Sequence, residues 1–172
     1  MTTNQSPDGP NNAGDDDLET RGAIWSFLRY AADRLVSGGA GTDFWFRLVN
    51  SRTGGIANLR EVFGTEPAPL LRDWAIAEYA DDTGPGVEER FSHPSWNFRS
   101  ILPALGNPFP LTDPLLERRL SDNVSASVQV QGGGVSFLRF LVPAGHEALF
   151  IVTSSSGSPT PASLQLSVLR IR

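Results

Sequence analysis

The run LETRGAIWSFLRYAADRL, from Leu18 to Leu35, decides the fold. Its apolar residues Ile24, Phe27, Leu28, Ala31 and Leu35 recur at the spacing of one helical face, while Arg29, Asp33 and Arg34 fall mainly on the other. The spacing predicts a helix that stops near Ser37, because Gly38 and Gly39 supply a left-handed cap. On its N-terminal side, Asp16 with Glu19 three residues later has the form of a capping box. The acidic triplet Asp15–Asp17 reads as capping and dipole compensation rather than a calcium site, since it lacks a calcium loop's ligand spacing and turn glycine. Met1 to Gly14 holds almost nothing apolar, and disorder is expected there.

Outward in the other direction, Thr42 can cap a second helix with Phe44, Trp45, Leu48 and Val49 facing inward. Ile56 to Phe63 predicts a third helix closed by Gly64, and Thr65 with Pro67 just inside the next start predicts a fourth. The fourth carries Leu70, Leu71, Trp74 and Ala77. Trp25, Trp45 and Trp74 are expected to share one helical core. DDTGPG, Asp81 to Gly86, marks a turn. Phe91 to Leu102 then gathers Phe91, Trp96 and Phe98 beside His93, Asn97 and Arg99, and reads as a loop and short helix that pins the helices to the C-terminal part of the chain.

Pro103 to Pro114 reads as an extended connector. After it the pattern changes: Val124, Ala126, Val128 and Val130 alternate with Ser and Gln, and Phe137–Val142, Ala148–Val152 and Leu164–Ile171 come next, each bounded by Gly, Pro or Ser. These predict four strands with hairpins at Gly132–Gly134, Pro143–His146 and Ser154–Pro161. The expected fold is α+β, a bundle of about four helices followed by a small antiparallel sheet or sandwich of about four strands. The expected division is a tail over 1–15, a helical lobe over 16–111, and a β region over 112–172 packed on that lobe as one cooperative unit.

Composition narrows the function. With 172 residues and 40% hydrophobic content the chain can bury a real core. Net charge is −5 and the fourteen basic residues, all arginine, are scattered. No basic patch is formed, so nucleic acid is not an expected partner. The absence of lysine fits a GC-rich genome. Cysteine is absent, which removes disulfides and thiolate chemistry. No apolar run reaches membrane-spanning length and no secretory signal is written at the start, so the expectation is a soluble, by default cytoplasmic, protein.

Chemical motifs are sparse. His93 and His146 are the only histidines. His146–Glu147 opens like HExxH, but Phe150 stands where the second histidine is required, and no metal site is expected. No serine sits in a G-x-S-x-G elbow. The glycine runs at Gly38 and Gly132 lack a phosphate loop's lysine, so no nucleotide or other cofactor is expected. The pairs Asp81–Asp82 and Glu88–Glu89 read as solvated acids. No catalytic residue is assigned. The binding candidates are Trp96, Asn97, Arg99 and His93, aromatic faces with polar edges that suit a carbohydrate or a peptide.

Four segments carry a resemblance: RGAIWSFLRYAADR (Arg21 to Arg34), FWFRLVNSRTGGIANLREVFG (Phe44 to Gly64), RDWAIAEYADD (Arg72 to Asp82) and PSWNFRS (Pro94 to Ser100). Together they resemble the part of hyicolysin-like bacterial metallopeptidases, a gluzincin group, that lies after the zinc-binding helices. The resemblance covers Leu18 to about Leu111 and implies a helical lobe supporting a cleft, with an extracellular or cell-envelope setting. In that family the HExxH helix and the glutamate ligand lie upstream of this region, and none of those ligands falls on a residue here. Two functions are compatible with these features. One is a non-catalytic C-terminal segment of a metallopeptidase-like protein, a structural or interaction module whose partner is a protein or peptide such as a separate catalytic segment. The other is a free-standing peptide- or glycan-binding domain.

Overall fold

The computed structural model describes residues 18–36, 41–82, 86–105, 117–130 and 133–171. The expected tail, the Asp16 cap and the Gly38–Gly39 stop lie outside them. Helix α1 spans Leu18–Leu35, α2 Thr42–Val49, α3 Gly55–Phe63, α4 Pro67–Ala80 and α5 Phe98–Ala104, with a 3₁₀ turn over Glu89–Phe91.

The punctuation works as local chemistry dictates at two boundaries. Gly64 adopts φ 67°, and its N–H donates to the Arg60 carbonyl at 3.1 Å, closing α3 in a left-handed conformation that costs glycine little. Pro67 occupies the first turn of α4, where its missing N–H would have had no helical partner. The expected threonine cap is replaced: Gly41 is the extended N-cap of α2, and Thr42 is already helical.

α2, α3 and α5 are too short to stand alone, so packing holds them. Phe27, Tyr30, Ala31 and Ala32 of α1 meet Phe44 of α2, Val62 and Phe63 of α3, and Trp74 and Ala77 of α4. Phe27 anchors the cluster, its ring centroid 5.9 Å from Trp74 and 6.0 Å from Phe63, both edge-on. The buried alanines let α1 and α4 approach closely.

The buried face of α1 is rotated from the apolar stripe and shares Phe27 and Ala31 with it. Ala23, Ser26, Phe27 and Tyr30 are buried, whereas Ile24, Leu28 and Leu35 are only half-buried. Trp74 is 1% exposed and lies in the core as expected. Trp45 sits at the core margin against Phe44, and Trp25 is 40% exposed, so the shared three-tryptophan core is not formed. Ser26 and Tyr30 can be turned inward because each finds a polar partner there.

The C-terminal part overturns the expected fold class. The molecule is mostly helical, and its sheet is a two-stranded parallel pair of β1, Glu117–Arg119, and β2, Phe137–Arg139. Glu117 stands opposite Phe137, Arg118 opposite Leu138 and Arg119 opposite Arg139. Among the described residues no antiparallel four-stranded sheet or sandwich occurs. Turns do form near two of the expected hairpins: the His146 N–H donates to the Pro143 carbonyl at 3.1 Å, and Gly157 to Ser154 at 2.9 Å. Their immediate flanks form no strand. The physical reason is that period-two alternation marks an extended backbone and does not choose its neighbour. Phe137–Arg139 pairs with the charged Glu117–Arg119 segment, whose composition gives no strand signal. Pro103, the expected start of the connector, lies inside α5, and the part of that stretch from 106 to 114 is outside the described residues. One ring contact ties the two regions together, Tyr79 of α4 stacking on Phe137 of β2 at 5.4 Å. No helix among the described residues is long and apolar enough to cross a membrane.

Candidate functional site

The four binding candidates lie between α4 and the start of α5, on a segment that carries little regular structure and is instead tied to the helices by side chains. The Tyr30 hydroxyl donates to the Arg90 carbonyl. The Arg34 guanidinium donates to the Glu89 carbonyl and, at 2.7 Å, to that of Ser92. Arg29 donates to Ser95 Oγ at 2.7 Å and pairs with Asp33 at 2.8 Å, while Ser95 itself donates to Asp33. The His93 backbone N–H donates to Asp81 Oδ2 at 3.0 Å. These bonds satisfy the backbone groups of a loop that no sheet or helix could satisfy.

Beneath the segment lies a buried polar cluster. The Ser26 hydroxyl donates to Glu78 Oε1 and accepts from Trp74 Nε1 at 3.0 Å. His93 Nε2 stands 3.5 Å from the same Glu78 oxygen, and both side chains are almost completely shielded from solvent. The imidazole is flanked edge-on by Tyr30 at 5.6 Å and Phe98 at 6.1 Å. Burial penalises charge here. It pushes the Glu78 carboxyl above the ordinary value, holds His93 down to about 4 with help from the Arg34 cation, and lifts Tyr30 to about 12. Burial also raises Asp81, against the His93 N–H that stabilises its anion.

Serine, glutamate and histidine together suggest nucleophilic catalysis, but the order is wrong for it. The carboxyl sits between hydroxyl and imidazole, so no imidazole addresses Ser26, and Trp74 occupies an acceptor position on the hydroxyl. Among the described residues no three His, Asp or Glu side chains gather in a way that could hold a metal ion.

The candidates therefore divide. His93 is buried in the polar cluster. Arg99 is half-buried and donates to the Tyr79 carbonyl at 3.0 Å, with its guanidinium 5.6 Å over the Tyr79 ring. Asn97 donates to the Asp82 carboxylate and caps the start of α5 by accepting from the Ser100 N–H at 3.2 Å. Trp96 alone presents a large exposed surface, 41%. It is joined by a residue the sequence placed in the core: Trp25 packs perpendicular to Trp96 with ring centroids 4.8 Å apart, and Phe98 buttresses Trp25 at 6.2 Å. No local spacing marks Trp25 for this role, because its partner Trp96 lies far along the chain. Glu78, four residues after Trp74 and flanked by Ala77 and Ala80, was likewise legible as an acid on a buried face.

Protein-family models, curated proteins and solved structures were all compared with the chain, and none matches it.

Proposed function

We propose that this chain is a non-catalytic interaction module, a helical lobe that presents the Trp25–Trp96 pair to a protein or peptide partner. The observation that carries the reading is the pair itself. Two large rings are held in contact yet left two-fifths open to solvent, Trp25 on α1 and Trp96 on a loop that side-chain bonds tie to the helices. Rigid aromatic anchors with satisfied surroundings are what hot spots are built from. The resemblance to the helical lobe of hyicolysin-like metallopeptidases supports the same reading and supplies a partner class, a zinc-binding peptidase segment. A glycan or extended-peptide ligand is the second reading, favoured by the same exposed rings.

Tryptophan emission of the full chain separates the two. Addition of an HExxH-containing segment of that peptidase type is expected to shift the emission, and Trp96→Ala is expected to abolish the shift without unfolding the helices. A response to oligosaccharides or proline-rich peptides instead selects the second reading. Zinc-dependent cleavage of an unfolded protein substrate by the chain alone, lost in Glu78→Gln, overturns both.

A further inference from the structure

The Glu78–His93 pair is not explained by an interaction role, and its cost is high. A buried imidazole nitrogen with no hydrogen-bond partner lies 3.5 Å from a buried carboxyl oxygen. An apolar pair of similar volume would pack there without that burden. What the pair does hold is position. Glu78 belongs to α4 and is fixed by Ser26 of α1, while His93 belongs to the segment that carries Trp96.

We propose that Glu78 and His93 form a proton-operated latch: with the imidazole neutral the 88–97 segment is clamped to α1 and α4, and protonation of His93 in acid releases it. The geometry makes the released state a consequence of protonation. An imidazolium at this site would be enclosed by the Tyr30 and Phe98 rings. The Arg34 cation from α1 opposes it, and Asp33 of α1 favours it. From α4 it faces Glu78, which burial holds toward its neutral form, and Asp81, which engages the His93 backbone N–H. Arg90 and Glu89 on the segment itself are exposed. Among the described residues, Glu78 alone places a carboxyl within ion-pair distance of the ring. The cation is therefore accommodated by moving His93 into water, which breaks the Ser95 bonds to Arg29 and Asp33 and lifts Trp96 from Trp25. The bonds from Tyr30 and Arg34 to the Arg90, Glu89 and Ser92 carbonyls act as the hinge side of the latch. The latch stands whether or not the tryptophan pair binds a partner.

The chain has only two histidines, His93 and the exposed His146, so proton NMR resolves both imidazoles in one titration. The full chain is titrated from neutral pH down to about 3, through and below the ordinary histidine range, with tryptophan emission and far-ultraviolet ellipticity followed in parallel. His93 is expected to take its proton near pH 4, with the emission shifting at the same midpoint while the helical signal persists. In His93→Gln, which keeps a neutral polar side chain, that emission step is expected to vanish. If that variant does not fold, the wild-type titration decides alone. An emission step that does not coincide with the His93 midpoint overturns the latch, as does loss of helix at that same midpoint. A His93 signal titrating at the ordinary histidine value overturns it too.

Discussion

The helical lobe and the C-terminal region carry equally clear apolar patterns and come to opposite ends. In the lobe, Phe27, Trp74 and Phe63 are buried against one another. Beyond Glu117, most large apolar members of the alternating runs stay exposed, Leu141 and Leu149 each at 87%. The difference lies in where a pattern finds its hydrogen-bond partner. A helix satisfies its backbone within the segment and needs only a face to bury, whereas an extended run needs a second run in register before its faces mean anything.

The largest expected effect tests the buried side of this contrast. Trp74→Ala empties the centre of the core and removes the donor to Ser26, and it is expected to cost about 3–5 kcal/mol in urea denaturation. Next in size is the response to pH, which the lobe owes to its buried pair. His93, held low, contributes stability that falls as the pH drops from the ordinary histidine value towards about 4. Glu78, held high, contributes stability that is present in acid and falls as the pH rises above the ordinary carboxyl value. The two slopes oppose each other in the overlap, so the wild-type midpoint is expected to vary little there. Glu78→Gln exposes the histidine slope, stability falling with acid; His93→Gln exposes the carboxyl slope, stability falling with alkali. Urea midpoints of the three proteins between about pH 4.5 and 6.5 check both signs, each unmatched proton being worth about 1.4 kcal/mol per pH unit.

Ser26→Ala comes third. It removes the bonds to Glu78 and Trp74 together and leaves both buried polar groups without that partner, at an expected cost of about 1–3 kcal/mol. The smallest effect probes the other region: Leu149→Ser is expected to leave the midpoint within about 0.5 kcal/mol. A loss like that of Trp74→Ala would instead show Leu149 buried in solution and erase the contrast.

How far the residues could be read obeys the same division. The end of α3 and the start of α4 were legible because glycine at Gly64 and proline at Pro67 act on the backbone at their own positions. The rotation of α1 was not, because Ser26 and Tyr30 face inward only by virtue of Glu78, Trp74 and the Arg90 carbonyl, all more than forty residues away in sequence. Trp96 was legible as a surface aromatic; its neighbour Trp25 was not, for the same reason. The roles of Asn97, Arg99 and His93 as supports came from non-local pairing with Asp82, Tyr79 and Glu78. The strand pairing failed most completely, since β1 is three charged residues and its register on β2 is non-local in every position.

The parallel register also sets an order in time. Strands running the same way cannot be closed by a tight turn, and the crossover from Leu120 to Ser136 must be drawn in before a single β1–β2 bond forms. The helices close contacts only a turn apart, on a scale of about a microsecond or less. The β1–β2 pair spends chain entropy first and gains a three-residue ladder afterwards. It is therefore the last part of the chain to assemble and the first to come apart, with Phe137 docking on a Tyr79 that the lobe has already set in place.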